Sequence, residues 1–233
     1  MQSRVEWLSD EEGSICFYDN DKLFLRAQMF IAGEEAEFRL QDIVVPEKEA
    51  KYDNMYKEIT SKVISCISET FRILWKKGCD ETTLVEQEGS KIAQMLDSTE
   101  VVSVAYSEYM MKCSFASQKS TGCGLTSLTL TKNGDGYSCE NEEKTFFCRL
   151  LRYETDQPEE ACYYLYEVEV SKTERNKGVA TACLTELFRR LSLQSAVTIY
   201  LQVGSYNEPA VHLYEKLGFE ISEALCYYTM TGQ

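Results

Sequence analysis

The sequence predicts an α+β fold in which a mixed, mostly antiparallel sheet is flanked by helices and the arrangement occurs twice. From Gly136 onward, alternating and aromatic-rich runs are followed by helical patterns, in the order strands, helix, strand, helix, strand. The first half of the chain gives the same order of elements, and several of its segments resemble segments of the second half. We therefore predict a tandem pseudo-repeat.

The elements of the second half follow from local patterns. Aromatic-rich or alternating runs predict five strands or strand-like segments: YSCEN (137–141), residues 144–153, CYYLYEVEVS (162–171), AVTIYLQV (196–203) and FEISEALCYYTM (219–230). Between Val179 and Leu191, apolar residues recur at spacings of three and four, which predicts an amphipathic helix. EPAVHLYEKLG (208–218) predicts a second helix, with Pro209 in its first turn and Gly218 as its stop.

Four ungapped matches between the halves occur in the same order, which favours tandem duplication over chance similarity. The matched pairs are GSICFYDNDKLFLR (13–26) with GYSCENEEKTFFCR (136–149), EEAEFRLQDIVV (34–45) with EEACYYLYEVEV (159–170), KVISCISETFRIL (62–74) with VATACLTELFRRL (179–191), and TTLVEQEGS (82–90) with VTIYLQVGS (197–205). We expect a degenerate half at 1–115, a linker at 116–135 and a second half at 136–233. The alternative for part of the linker is that LTSLTLT adds a strand.

Composition excludes several function classes. The 24 basic and 38 acidic residues give a net charge of -14, which argues against nucleic acid and anionic membranes as partners. No apolar run has the length of a signal peptide core or a membrane span, so we expect a soluble, cytoplasmic protein. The single histidine, His212, argues against a Ser/His triad and against common zinc sites, and we expect no metal. The ten cysteines lack a CxxC pair, which predicts free, mostly buried thiols.

The segment KTERNKG (172–178) joins a predicted strand to a predicted helix and has the features of an anion site. The first turn of a helix leaves backbone N–H groups without intrahelical partners, and the helix dipole places partial positive charge there. Gly178 would let the backbone approach a phosphate closely, while Arg175 and Lys177 would add charge. The corresponding loop of the first half, EKEAKYDNMYKEITS, contains no glycine. The alternative is an ordinary solvated loop before a helix.

Two motifs of the second half resemble those of the GCN5-related N-acetyltransferase (GNAT) superfamily. Residues 175–180 fit its acetyl-coenzyme A loop, R/Q-x-x-G-x-G/A. Residues 207–219 fit N-x-x-A-x-x-L-Y-x-x-x-G-F, which is much the more specific motif. Six residues stand at the family spacing in this second motif: Asn207, Ala210, Leu213, Tyr214, Gly218 and Phe219. The resemblance covers roughly residues 136–230 and implies a GNAT fold.

The resemblance also implies how acetyl-coenzyme A would bind. Its pyrophosphate would lie on the backbone amides of residues 176–181, and its pantetheine arm would pair with the strand edge at Val168 to Val170. Tyr214 would face the thioester sulfur and protonate the leaving thiolate, with a packing role as the alternative. The expected cofactor-binding residues are Val168, Val170, Arg175, Asn176, Lys177, Gly178, Val179, Ala180, Thr181, Asn207 and Tyr214.

The implied reaction is direct attack of a neutral amine on the acetyl carbonyl, so a group must accept a proton from the amine. With one histidine in the chain, we expect this base to be a carboxylate or a water. Glu167, Glu169 and Glu208 are candidates, and Glu167 lies where acidic residues often occur on the family's cofactor strand. His212 lies two residues before Tyr214, on a different helix face, which favours packing or solvent exposure.

Departures from the family pattern predict weaker cofactor binding or lost function. Asn176 replaces a glycine that often follows the loop arginine, and Lys172 stands where a proline is frequent. Two helices that usually follow the family's first strand are missing, because the chain passes from GYSCEN straight to KTFFCR. The first half could complete the sheet or wall the acceptor cleft.

The expected function is acetyl-coenzyme A-dependent acetylation of a primary amine, either a small molecule or a peptide. The acidic composition and the strand tyrosines at 163, 164 and 166 are compatible with a cationic acceptor. One alternative is a non-catalytic GNAT-like module that binds coenzyme A or a protein, and another is transfer of a longer acyl group. A homodimer is left open.

Overall fold

The computed structural model describes residues 1–43, 53–116, 126–153, 160–193 and 195–231. The chain divides into a first unit, Met1–Ser107 with Leu225–Gln233, and a second unit, Glu108–Ala224. Each unit has its own apolar core. The predicted division at 1–115, 116–135 and 136–233 stays a prediction about the repeat, since compactness groups residues by contact and not by ancestry.

The first unit is a mixed sheet packed against two helices. Its strands are β1 (Gln2–Trp7), β2 (Glu12–Asp19), β3 (Lys22–Ala32), β4 (Glu35–Gln41), β5 (Glu81–Gln87) and the end of β12 (Glu220–Met230), and its helices are α1 (Asp53–Lys76) and α2 (Lys91–Asp97). The sheet order is β1-β2-β3-β4-β5-β12, in which β4 and β5 are parallel and the other neighbours antiparallel. Phe38 of β4 and Phe71 of α1 meet edge to face in the core, with ring centroids 5.1 Å apart.

The second unit repeats this design. Its elements are the end of β6 (Val102–Phe115), β7 (Leu128–Asn133), β8 (Gly136–Asn141), β9 (Phe146–Tyr153), β10 (Glu160–Val170), α3 (Val179–Ser192), β11 (Ala196–Gly204) and α4 (Glu208–Lys216). The sheet order is β6-β11-β10-β9-β8-β7, with β10 and β11 parallel and the other neighbours antiparallel. This mixed, mostly antiparallel sheet with flanking helices confirms the predicted fold class.

The order of elements in the two units supports a duplication. In each half four successive antiparallel strands are followed by a helix, a strand parallel to the fourth, a second helix and a final strand. The final strand of each half contributes to the other unit: β12 pairs with β5, and β6 pairs with β11. The composition of 116–135 suggested a linker, yet LTSLTLT does supply a strand, β7, while residues 117–125 lie outside the described residues.

The two apolar cores contain most of the described cysteines and the apolar face of α3. Nine cysteines are described, all with free thiols, and eight of them are buried, as predicted; Cys123 lies outside the described residues. Helix α3 buries Cys183, Leu184, Leu187 and Phe188 against the second sheet. None of the helices in the described part of the chain combines the length and apolar character needed to span a bilayer.

A buried carboxylate fixes α3 to the edge of the sheet. Glu186 accepts hydrogen bonds from Arg189 and Arg190 at 2.6–2.9 Å, and the bonds from Arg189 are the main reason that its pKa falls to about 2. Arg190 in turn donates to the carbonyl of Leu128 at the start of β7, at 2.7 Å. The network thereby connects α3 to β7 in the second unit.

Candidate functional site

The central feature of the second unit is an opening between its two parallel strands. Pairing of β10 with β11 runs from Glu160 and Ala196 to Tyr164 and Tyr200. Beyond this point β10 continues to Val170 and β11 to Gly204, with no further pairing between them among the described residues. Because a strand edge presents unpaired N–H and C=O groups, the end of β10 is available to a ligand that carries amides.

A β-bulge in β10 produces this divergence. The register with β9 shifts between Tyr166 and Glu169, and Glu167 at the bulge has a left-handed φ of 50°. The Glu167 carboxylate forms an ion pair with Arg149 of β9, with 3.0 Å between Oε2 and Nε. A left-handed backbone is unfavourable for a side chain such as glutamate, so this pairing helps to offset its cost.

The first unit has the same charge pair and left-handed backbone at the matched positions, directly after β4. Asp42 has a left-handed φ of 61° and pairs with Arg26 at 3.2 Å. In the ungapped matches, Arg26 aligns with Arg149 and Asp42 with Glu167. The repetition of both the charge pair and the backbone conformation indicates that Glu167 serves the fold.

The loop after β10 prepares the start of α3. Residues Lys172–Glu174 form one 3₁₀ turn, and Asn176 and Gly178 then adopt left-handed φ values of 61° and 81°. Gly178 is the N-cap of α3, and its carbonyl accepts the first helical bond from Ala182 at 3.0 Å. No side chain caps this helix end, so the N–H groups of the first turn are available to a ligand.

Arg175 and Lys177 both participate in the loop's own structure. The Arg175 Nε donates to the carbonyl of Val170 at 3.1 Å, which fastens the loop to the end of β10. The Lys177 Nζ lies 3.0 Å from the Glu174 carboxylate and borders an adjoining cavity of about 590 Å³. Their positive charge is therefore partly committed within the loop.

Helix α4 contributes the opposite wall. The Asn207 carbonyl accepts bonds from Ala210 and Val211 at 2.9 and 3.0 Å, but its side chain does not cap the helix and is left for other contacts. Tyr214 is only 7% exposed and packs against Phe219, with ring centroids 5.7 Å apart. Burial, with a smaller effect of the nearby Cys148, raises the pKa of Tyr214 to about 12.

These elements enclose a groove of about 1090 Å³. It brings together all of the predicted cofactor-binding residues except Lys177: Val168, Val170, Arg175, Asn176, Gly178, Val179, Ala180, Thr181, Asn207 and Tyr214. Of the three candidate bases, Glu169 lines the groove; Glu167 and Glu208 are not among the described residues that line it. The assignment of these residues to cofactor binding and catalysis stays a prediction.

The groove also contains residues that the sequence interpretation missed. They are Lys144, Thr145, Phe146, Phe147, Ser171, Lys172, Glu174, Pro209, Ala210, His212, Leu213 and Lys216, to which the sequence analysis assigned no role in the site. His212 is exposed at the rim, because the groove borders more of α4 than the face that carries Tyr214. Asn141 could have indicated an organised turn at residues 144–147, because its side chain accepts hydrogen bonds from the N–H groups of Thr145 and Phe146. Only the fold brings this β8–β9 turn next to the loop that follows β10.

The part of the chain that contains the groove is similar to a known protein family. Residues 128–219 match the model of the family described as Acetyltransferase (GNAT) family. An N-alpha-acetyltransferase of Sulfurisphaera tokodaii is 31% identical over 71 residues, which cover 30% of this chain and 42% of that protein. The chain spans less than half the length of the curated relatives it matches.

Solved structures resemble the chain over almost its whole length. A GCN5-related N-acetyltransferase from Sphaerobacter thermophilus has a TM-score of 0.57 at 12% identity, covering 96% of this chain and 81% of its own. A tandem GNAT protein from the clavulanic acid biosynthesis pathway has a TM-score of 0.52 at 9% identity, covering 95% of this chain and 83% of its own. At these identities the likeness shows a shared fold.

In the first unit, the strand that matches β11 has a carboxyl group, that of Glu86, where β11 has the apolar Leu201. Pairing of β4 with β5 ends at Phe38 and Leu84, and Glu86 follows two residues later. Glu86 aligns with Leu201, a core residue of the second unit that is 1% exposed. Burial raises the pKa of Glu86 to about 7, although Ser90, Arg39 and the Leu40 backbone each favour the ionised form.

We predict that Glu86 makes the stability of the protein depend on pH. Its folded-state pKa lies above the ordinary value of 4.5, so its favourable contribution is complete below pH 4.5 and is lost as the pH rises through about 7. As the pH rises from 5 to 8, the unfolding free energy of Glu86→Gln should increase by about 2 kcal/mol relative to that of the native protein, allowing for the partial exposure of Glu86. Urea unfolding at both pH values measures the change. Glu81→Gln, at the exposed start of β5, is the control, and an equal change in both variants would contradict the prediction.

Proposed function

We propose that this chain, which belongs to the GNAT superfamily of acetyltransferases through its residues 128–219, is an acetyl-coenzyme A-dependent N-acetyltransferase. The observation that carries the proposal is the opening between β10 and β11 beside the first turn of α3. One groove thus offers a strand edge for an amide-containing arm and a helix end for a pyrophosphate. Acyl-coenzyme A has both of these parts.

The residues present fit such a ligand. A Cβ on Gly178 would meet no atom within 4 Å, so the space beside the α3 N-terminus is open to a phosphate. The groove volume of about 1090 Å³ lies at the upper end of the range for small-molecule sites, which suits a long ligand. Val168 and Val170 would hold the pantetheine arm, the amides of residues 178–181 the pyrophosphate, and Asn207 the middle of the arm.

When bound, acetyl-coenzyme A supplies an activated acetyl group as a thioester. The acceptor nitrogen forms a bond to the acetyl carbon while the carbon–sulfur bond breaks. The nitrogen loses one proton, and the departing thiolate takes up one proton from solvent to leave as coenzyme A. The protein therefore has to hold the reactants together, receive the nitrogen's proton and stabilise the developing charge on sulfur.

Tyr214 suits the stabilisation of the sulfur. With a pKa of about 12, its hydroxyl stays protonated at neutral pH and is able to donate a hydrogen bond. A thiol has a pKa of about 8.5, so a thiolate is too weak a base to remove the Tyr214 proton completely. We therefore assign Tyr214 the role of a hydrogen-bond donor to the leaving thiolate, in place of complete proton transfer.

Glu169 is the best placed carboxylate to receive the nitrogen's proton. It lines the groove, is exposed, and lies just beyond the bulge on the same strand edge as Val168 and Val170. Glu167 is already paired with Arg149, and Glu208, at the start of α4, is not among the described residues that line the groove. Glu169 would act directly or through one water.

An α-amine at a peptide N-terminus is the acceptor we favour. The relative from Sulfurisphaera tokodaii is named an N-alpha-acetyltransferase. An α-amino group has a pKa of about 7.7–8.0, against about 10.4 for a lysine amine, so an appreciable part of it is neutral at pH 7. Such an acceptor places a modest demand on a single carboxylate base. Small-molecule amines are the second class to be screened.

The first prediction concerns cofactor binding. Gly178→Glu should abolish calorimetric binding of acetyl-coenzyme A, because the new carboxylate repels the pyrophosphate at the α3 N-terminus. Gly178→Ala is the matched control, since it imposes the same unfavourable left-handed backbone without charge. We expect a loss of at least about 100-fold for glutamate and less than about tenfold for alanine. Absence of binding to the native protein, or equal losses in both variants, would contradict the proposed site.

The second prediction concerns Tyr214. Tyr214→Phe should lower kcat by about 10- to 100-fold and leave the calorimetric Kd for acetyl-coenzyme A within about threefold, because only the donated hydrogen bond is removed. Steady-state kinetics with a panel of peptide and small-molecule amines measures the change. If the native protein bound acetyl-coenzyme A but acetylated no amine in the panel, a non-catalytic coenzyme A-binding module would replace the enzyme proposal.

The third prediction distinguishes the two strand carboxylates. Glu169→Gln should lower kcat/KM by about 100-fold at pH 7, and the loss should shrink as the pH rises and the amine becomes neutral without a base. Glu167→Gln should mainly lower thermal stability, because it weakens the ion pair with Arg149. The pH profiles of both variants measure the difference. A pH-independent loss in Glu169→Gln would argue against its role as the base.

A further inference from the structure

We propose that Lys144, Lys172 and Lys216 form a binding site for the 3′-phosphate of coenzyme A, so that the protein selects this cofactor over dephospho-coenzyme A. The inference rests on the proposed function, because it assumes that a coenzyme A thioester occupies the groove. It goes further by assigning the third phosphate to side chains outside the loop and by naming a selectivity that they produce.

The three lysines reach one groove from three separate elements. Lys144 lies in the β8–β9 turn, Lys172 begins the 3₁₀ turn after β10, and Lys216 is in the last turn of α4. All three are exposed, and none takes part in the ion pairs found within the described ranges of the chain. Their ammonium groups are thus available to an anion, unlike Lys177, which is paired with Glu174.

Lys144 is held at the groove by an organised turn. Its backbone has a left-handed φ of 54°, and its N–H donates to the Asn141 carbonyl at 3.0 Å. The Asn141 side chain is 5% exposed and accepts from the N–H groups of Thr145 and Phe146, both at 2.8 Å. The Thr145 carbonyl then accepts from the N–H of Ser171 at 2.9 Å. The turn that carries Lys144 is thereby joined to the segment that carries Lys172.

The charge around the groove departs from that of the chain. Four basic side chains, Lys144, Lys172, Arg175 and Lys216, line it against two acidic ones, Glu169 and Glu174, while the whole chain has a net charge of -14. A polyanion approaching this protein is therefore attracted only where such a local excess exists. The N–H groups of α3 account for a pyrophosphate, which leaves the lysines for an additional phosphate.

The matched positions of the first half strengthen the inference. Lys144 aligns with Asp21 in the ungapped match. Extending the match of 159–170 with 34–45 by two residues aligns Lys172 with Glu47. At these two of the three lysine positions, the half without the glycine loop therefore has acidic residues. Positive charge at these positions accompanies the loop, as expected if both serve the same anionic ligand.

The test is calorimetric titration of the full-length protein with coenzyme A and with dephospho-coenzyme A. The variants are Lys144→Met, Lys172→Met, Lys216→Met and their combination, with thermal unfolding as the check on folding. Lys132→Met is the matched control, because Lys132 is an exposed lysine of β7 that does not line the groove. Met keeps the apolar stem and removes the charge.

We expect the native protein to bind coenzyme A at least about tenfold more tightly than dephospho-coenzyme A. Each single substitution should weaken coenzyme A binding by about three- to tenfold and leave dephospho-coenzyme A within about twofold. The combined variant should show no preference, and Lys132→Met should behave as the native protein. Equal affinity of the native protein for both ligands, or equal losses for both in the variants, would overturn this inference alone. Binding of neither ligand would overturn the proposed function as well.

Discussion

Two parallel strands that stop pairing partway along their length leave backbone donors and acceptors without partners, and the whole site depends on how this fold satisfies them. In the second unit, the bulge at Glu167 turns the end of β10 away from β11, and the ion pair with Arg149 holds the left-handed backbone. Backbone N–H and C=O groups left without hydrogen-bond partners in this opening would lower the stability of the fold. The 3₁₀ turn, the Arg175 bond to Val170 and the start of α3 all lie where a ligand can complete it.

The two units share a left-handed acidic residue and its ion pair at the end of the matched strands, and they differ in the residues around it. Both have an arginine on the adjacent strand that pairs with an acidic residue in left-handed conformation, which lies at the β10 bulge in the second unit and directly after β4 in the first. The first unit has Glu86, a carboxyl with a pKa near 7, where the second has the buried Leu201. It also lacks a glycine in the loop before its first helix. One backbone design therefore borders the groove in the second unit and has different side chains in the first.

Much of this was readable in the sequence, because the signals were local. The apolar period of α3, Pro209 in α4 and the spacing from Asn207 to Phe219 each depend on residues close in the chain. The ion pair was not predicted, because the ungapped matches align Arg26 with Arg149 and Asp42 with Glu167 but do not show which residues meet across neighbouring strands. Lys144 and Lys216 were not predicted either, because their place on the groove depends on a turn and a helix end that only tertiary packing brings near the loop. Glu167 was favoured over Glu169 because sequence position alone does not reveal a bulge.

The charge distribution would make the groove selective for the proposed ligand through repulsion elsewhere on the surface as well as attraction at the rim. An acidic chain repels a ligand with three phosphates from most of its surface. A cationic side chain that is already paired within the protein attracts such a ligand less than a free one does. Arg175 stabilises the loop by donating a hydrogen bond to the Val170 carbonyl, and Lys177 does so through its ion pair with Glu174. The shape of the loop and the charge at the rim are thus supplied by different residues. Because these two tasks are separate, removing a rim lysine should change which ligand binds without changing the loop that we propose to receive the pyrophosphate.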